Sequence, residues 1–156
     1  MKKLMFAAFA AAWLTAAPAD PVAWKIEGAP GRPVKAGVQF SVKLVAKVQE
    51  GWHLYSMKPV PDGPIPTRIW LAEGAAFQLA GSIRATEPET VQDSSFGMEV
   101  EQYEGEATFT LPVRAAPGAA AGPQTLAVNV SYQSCNNKLC LPPKTVKVEA
   151  AVTVVK

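Results

Sequence analysis

Cysteine and histidine are nearly absent from this 156-residue chain, which has two of the first and one of the second. Two cysteines cannot build a disulfide-dense scaffold, and two thiols with one imidazole fall short of the four ligands that zinc usually takes. Long apolar runs are equally scarce. The main one is N-terminal, where Lys2 and Lys3 precede an apolar stretch over residues 4–14. That is the charged-then-apolar order of a secretory signal, too short to span a bilayer. Small residues follow, and cleavage is expected after Ala19, with cleavage after Ala16 as the alternative. Residues 1–19 are thus read as a signal peptide and 20–156 as one domain. No cysteine stands at the junction for lipid attachment, and no later stretch is apolar enough to hold the chain in a membrane.

A basic excess is lacking too. Without Lys2 and Lys3, thirteen basic residues face thirteen acidic ones, so the footprint that nucleic-acid binding needs to neutralise phosphates is missing. The charge that is present is unevenly spread. Glu87, Glu89, Asp93, Glu99, Glu101, Glu104 and Glu106 fall in one stretch without Lys or Arg. Such a run reads first as a solvated face, and second as a surface that selects a protein partner by charge.

Helical periodicity is missing as well, and what replaces it is a period of two. Val38, Phe40, Val42, Leu44, Ala46 and Val48 alternate with mostly polar residues, which places them on one face of an extended strand. Residues 107–113, 126–132 and 146–154 repeat the pattern. Shorter strands are expected at 24–27, 51–56, 67–72 and 77–83, separated by Pro- and Gly-rich breakers such as residues 58–66. Seven or more strands with one apolar face each predict an all-β fold, an immunoglobulin-like β-sandwich or a closed barrel of the same strand count. About 137 residues are enough to bury a core without a staple.

That makes the placement of the two cysteines informative. Cys135 and Cys140 are separated by four residues, and a ring so small stabilises by only about 2 kcal/mol, against roughly 4 to 5 for a long loop. As a switchable dithiol the pair is better placed, because nothing distant must move when the bond opens. It lies between two long strands, on or beside a hairpin loop in which Asn136-Asn137 supplies turn chemistry and Pro142-Pro143 stiffens the return. The same prolines forbid the helix that a thioredoxin CxxC would open. Lys138 lies inside the ring, where its cation can favour a thiolate. A secreted immunoglobulin-like binding or assembly module with a structural disulfide remains open, as does copper held by the two thiols with Met57 or Met98.

The segment from Val130 to Pro143, with Tyr132-Gln133 ahead of Cys135 and Pro142-Pro143 behind Cys140, resembles the active-site segment of the N-terminal periplasmic domain of DsbD-type thiol:disulfide interchange proteins. Residues 50–56 (Glu-Gly-Trp-His-Leu-Tyr-Ser) and 103–109 are similar to two further segments, and the resemblance covers roughly residues 22 to 156. It implies an immunoglobulin-like domain that relays electrons from a thioredoxin-like donor to periplasmic disulfide proteins, of disulfide isomerase or cytochrome c maturation type. It implies no cofactor or metal beyond the cysteine pair, and a protein-disulfide reductase type of activity dependent on a partner. Cys140 would form the mixed disulfide and Cys135 would resolve it. A cap loop would map to Asp93-Ser94-Ser95-Phe96-Gly97, with Phe96 as the covering ring and Gly97 allowing the turn. Tyr55 and His53, two apart on one strand, would look toward the cysteines, His53 standing where some relatives carry tyrosine. Read without the resemblance, Phe96 and Tyr55 are ordinary core or rim aromatics and His53 faces solvent. The sequence carries no transmembrane electron conduit and no thioredoxin-like domain, so another protein is expected to supply the electrons.

Overall fold

The computed structural model describes residues 19–156, so the expected leader lies, apart from Ala19, outside the described residues. Among the described residues there are thirteen strands and no helix. In chain order they are β1 (Val22–Glu27), β2 (Val34–Lys35), β3 (Gln39–Val48), β4 (His53–Tyr55), β5 (Arg68–Leu71), β6 (Phe77–Leu79), β7 (Arg84–Ala85), β8 (Glu89–Asp93), β9 (Met98–Tyr103), β10 (Glu106–Ala115), β11 (Gly122–Tyr132), β12 (Ser134–Cys135) and β13 (Lys144–Val155). No helix among the described residues is long and apolar enough to cross a membrane.

Period-two alternation sets the two large sheets. The first runs β1-β3-β10-β6, with β7 also on β10, and the second runs β2-β13-β11-β5. In β10, Ala107, Phe109, Leu111, Val113 and Ala115 are buried while Thr108, Thr110 and Pro112 are not, and β11 buries Leu126, Val128, Val130 and Tyr132 in the same way. These inner faces meet in one core, with Leu44, Phe109 and Leu111 on one side and Leu126, Val128 and Val130 on the other. Each such side chain contributes roughly 1.5–3 kcal/mol when fully buried. The result is an immunoglobulin-like β-sandwich with separate sheets, and the closed barrel is set aside.

Two strand expectations end differently. Val38 is 51 % exposed, because Gly37, at φ 80°, turns the chain just before β3. The segment expected at 77–83 stops at Leu79 and resumes only at β7, although the Ala80 amide still donates to the Pro112 carbonyl.

A third sheet, ordered β12-β4-β9-β8, was not expected from the sequence. Its β8–β9 hairpin is built from the acidic stretch, whose charges mask the two inward valines, Val91 and Val100, paired across it. Most of those acids are exposed, as a solvated face requires, but Asp93 is buried. One face of this sheet seals the sandwich, where Leu54 and Tyr103 are register partners within the main core. The other face is free to carry a site.

Candidate active site

Register decides which side chains meet on that second face. Cys135 is directly opposite His53 across β12 and β4, and Tyr55 follows two residues later on the same face. Across β8 and β9, Val91 pairs with Val100 and Asp93 with Met98. These residues close into a second apolar cluster, in which Tyr55, Val100 and Cys135 are buried and Val91, Phe96, Met98 and Cys140 pack around them. The structure thus brings together Cys135, Cys140, His53, Tyr55 and Phe96.

Cys135 and Cys140 are joined by a disulfide, with Cα atoms 4.0 Å apart. The ring is a small hydrogen-bonded turn. The Asn136 side-chain oxygen accepts from the amides of Lys138 (2.8 Å) and Leu139 (2.9 Å), the Asn136 amide donates to the Leu139 carbonyl, and the Leu141 amide donates to the Ser134 carbonyl. Asparagine suits this place because its short side chain can satisfy amides two and three residues on. Within the ring the two cysteines differ: Cys135 is completely buried and Cys140 is half-buried. Lys138 is exposed at the turn's tip.

The ring is held from both flanks. Gln133 donates from Nε2 to the Leu141 carbonyl and accepts at Oε1 from the Ile65 amide, which ties the proline-rich loop 58–66 to the cysteine turn. Tyr132 and Lys144 form the last register pair of β11 and β13, and both donate to Asp20 Oδ2, Lys144 at 2.7 Å. The Val22 amide donates to the other oxygen of Asp20. Partial burial acts to raise the Asp20 carboxyl, but hydrogen bonds from Lys144, Tyr132 and Val22 outweigh it and hold the group below the usual carboxylate range.

Above the ring lies the turn from β8 to β9. Asp93 Oδ1 accepts from the amides of Ser95 (2.7 Å) and Phe96 (3.1 Å), and the Gly97 amide returns to the Asp93 carbonyl. Gly97 sits at φ 66°, where a residue without Cβ is favoured. The other Asp93 oxygen, Oδ2, accepts from the Tyr55 hydroxyl at 2.8 Å, and the Phe96 ring stands edge-on to Tyr55 with centroids 6.0 Å apart. Asp93 therefore pins both the β8–β9 turn and the Tyr55 hydroxyl. Burial, and then the bond to Asp93, push the Tyr55 hydroxyl well above its ordinary range.

His53 is buried, not solvent-facing, because β12 and the β8–β9 hairpin cover it. Its Nε2 lies 3.1 Å from the Tyr55 hydroxyl and 3.7 Å from Asp93 Oδ2. Burial lowers its pKa below the usual histidine value, with Asp93 and Glu104 opposing. Of the two methionines considered for copper, Met98 packs in the cysteine cluster and Met57 against the sandwich core. Among the described residues, no group of three or more His, Cys, Asp or Glu side chains is arranged to hold a metal.

Asp20 was not legible in the sequence because its side-chain partners, Tyr132 and Lys144, are remote in the chain. Gln133 and Asp93 stood within the segments singled out, but their hydrogen bonds to the cysteine turn and to the amides of Ser95 and Phe96 are visible only in the structure.

Residues 29–151, which include both cysteines and the β8–β9 turn, match the family described as thiol:disulfide interchange protein DsbD, N-terminal. The chain belongs to this family. Two solved structures share the fold of this DsbD N-terminal family member. The N-terminal domain of DsbD from Neisseria meningitidis, in its reduced form, is 18% identical with a TM-score of 0.51, over 72% of this chain and 78% of that one. The N-terminal periplasmic domain of ScsB from Proteus mirabilis is 14% identical with a TM-score of 0.50, over 74% of this chain and 42% of that one. No curated protein matches in a sequence comparison.

Proposed function

We propose that this DsbD N-terminal family member is a periplasmic electron relay, passing electrons between a thioredoxin-like donor and disulfide-bonded acceptor proteins through Cys135 and Cys140. The acceptors are of disulfide isomerase or cytochrome c maturation type. The observation that carries the reading is the difference in burial within one short ring: Cys135 is fully enclosed, while Cys140 is partly exposed at the surface. Exchange requires a partner sulfur to reach one of the two cysteines, and Cys140 is the accessible one. Its thiolate forms the mixed disulfide with the partner, and Cys135 then attacks the Cys140 sulfur to release it. Phe96, turned by Gly97 and pinned by Asp93, caps the pair between encounters and must move aside for a partner. Lys138, at the exposed tip, favours approach of thiolate-bearing or acidic partner surfaces.

The test is reduction of the oxidised protein by a purified thioredoxin-like protein, together with a trap. Cys135→Ser is expected to accumulate a stable mixed disulfide on Cys140, and Cys140→Ser none. A reduction potential in the range of about −270 to −120 mV fits a relay, whereas one below about −300 mV together with resistance to thioredoxin-like proteins would leave the bond structural and end the proposal.

A further inference from the structure

We propose that His53 is the proton acceptor and donor of the buried Cys135 sulfur, and that it exchanges its proton with solvent through a polar cleft between the cap turn and the cysteine ring. The proposal rests on the reading of the pair as redox-active. Cys135 is completely buried in an apolar cluster with Tyr55 and Val100. A thiolate there is unfavourable, so each cycle must bring a proton to this sulfur and take it away. His53 is its cross-strand neighbour and the only histidine in the chain. Cβ atoms of such a pair lie roughly 4.5–5.5 Å apart, within reach of one another's side chains.

Hydrogen-bond logic fixes which ring nitrogen is basic. The Tyr55 hydroxyl has one hydrogen and donates it to Asp93 Oδ2. Toward His53 it can therefore only accept, so the imidazole carries its hydrogen on Nε2. Nδ1 is left as the acceptor. Burial disfavours the charged ring, opposed by the carboxylates of Asp93 and Glu104, so the ring is neutral and able to accept a proton at neutral pH. The ionisable groups facing it are Tyr55 from its own strand, Cys135 from β12, Asp93 from the end of β8 and Glu104 just beyond β9. The connection to water is a cleft of about 170 Å³ whose wall includes His53, Asp93, Ser95, Glu104, Asn136 and Asn137.

In the resolving step the Cys135 S–H bond breaks and its proton passes to His53 Nδ1. The freed sulfur pair forms the bond to Cys140 Sγ, and the partner sulfur leaves with the electrons of the mixed disulfide. His53 then releases the proton through the cleft. When the protein is reduced by a donor, the same steps run backwards and His53 returns the proton to Cys135.

Reduced protein treated with 5,5′-dithiobis(2-nitrobenzoate) provides the test, because the first thionitrobenzoate released reports attack by Cys140 and the second reports resolution by Cys135. In the wild type the second release should slow as pH falls through the His53 titration. His53→Gln should lose that inflection and, at pH 7, where a free thiol is only a few per cent ionised, lower the ratio of the second release rate to the first about tenfold. An unchanged second phase in the variant would overturn the proposal. Should the variant not fold, the wild type decides. The imidazole C2 proton signal of its single histidine should titrate with a different midpoint in the oxidised and reduced states, and identical midpoints would sink the idea. Reduction by a thioredoxin-like protein is scored separately, so failure of the relay and failure of His53 give different results.

Discussion

Phe96 and Asp20 illustrate how single side chains govern this site without being its sulfurs. Phe96 is half-buried edge-on to Tyr55, at the rim of the cluster that holds Cys135, so its removal takes away a rim side chain rather than a core element. Phe96→Ala should leave the melting temperature within a few degrees of wild type while glutathione reduces the disulfide severalfold faster. An unchanged rate would mean the ring does not shield the pair. Asp20 acts at the other side, beneath the loop that carries both cysteines. Its carboxyl is held below its unfolded value, so its contribution is present above the unfolded pKa and is lost as pH falls through the folded one. Asp20→Asn should therefore melt a few degrees below wild type at pH 7, and the gap should close as pH falls from about 4 toward 2. Melting curves of both proteins across that interval check the sign, and a gap that persists in acid would count against the ion-paired role.

The strands differ in how much of their fate is written locally. β3, β10, β11 and β13 were legible because each carries seven or more residues of apolar-against-polar alternation, which leaves little choice of face. The β8–β9 hairpin was not, since four of the seven acids from Glu87 to Glu106 lie on its two strands (Glu89, Asp93, Glu99 and Glu101) and mask the pairing of its inward valines, Val91 and Val100. The cysteine pair was legible from composition and spacing, and the segment from Asp93 to Gly97, singled out by the resemblance, forms the tight turn between β8 and β9. The burial of His53 was not, because β4 is three residues long and its cover comes from β12 and β9, remote in sequence. The proline-rich loop 58–66 supports the same hairpin from the side. A Cβ on Gly63 would sit 3.1 Å from the Met98 sulfur and 3.0 Å from Val60 Cβ. Gly63→Val should therefore push β9 outward, destabilise the fold by about 1–3 kcal/mol and expose the disulfide to small thiols. Slower rather than faster reaction with glutathione would refute this coupling.

At the scale of the molecule, the core stands apart from the cysteine pair. The ring closes only six residues, whereas the sandwich buries residues from Val22 to Val154. Reduction, or Cys135→Ser with Cys140→Ser, should leave a cooperative melt lowered by less than about 10 °C, consistent with a disulfide contribution of about 2 kcal/mol. Collapse of the fold on reduction would favour a structural staple instead. The antiparallel pairing of β11 and β13 also orients the molecule for handling. Lys144, at the start of β13, lies at the cysteine end beside Asp20, and Val155 lies at the far end, next to β2. Eleven extended steps along β13 separate the two by roughly 36 Å. A purification tag or surface linker fused ahead of Asp20 would emerge next to the sulfurs and crowd an incoming partner, whereas one attached after Lys156 would leave that end facing outward for electrode or biosensor work.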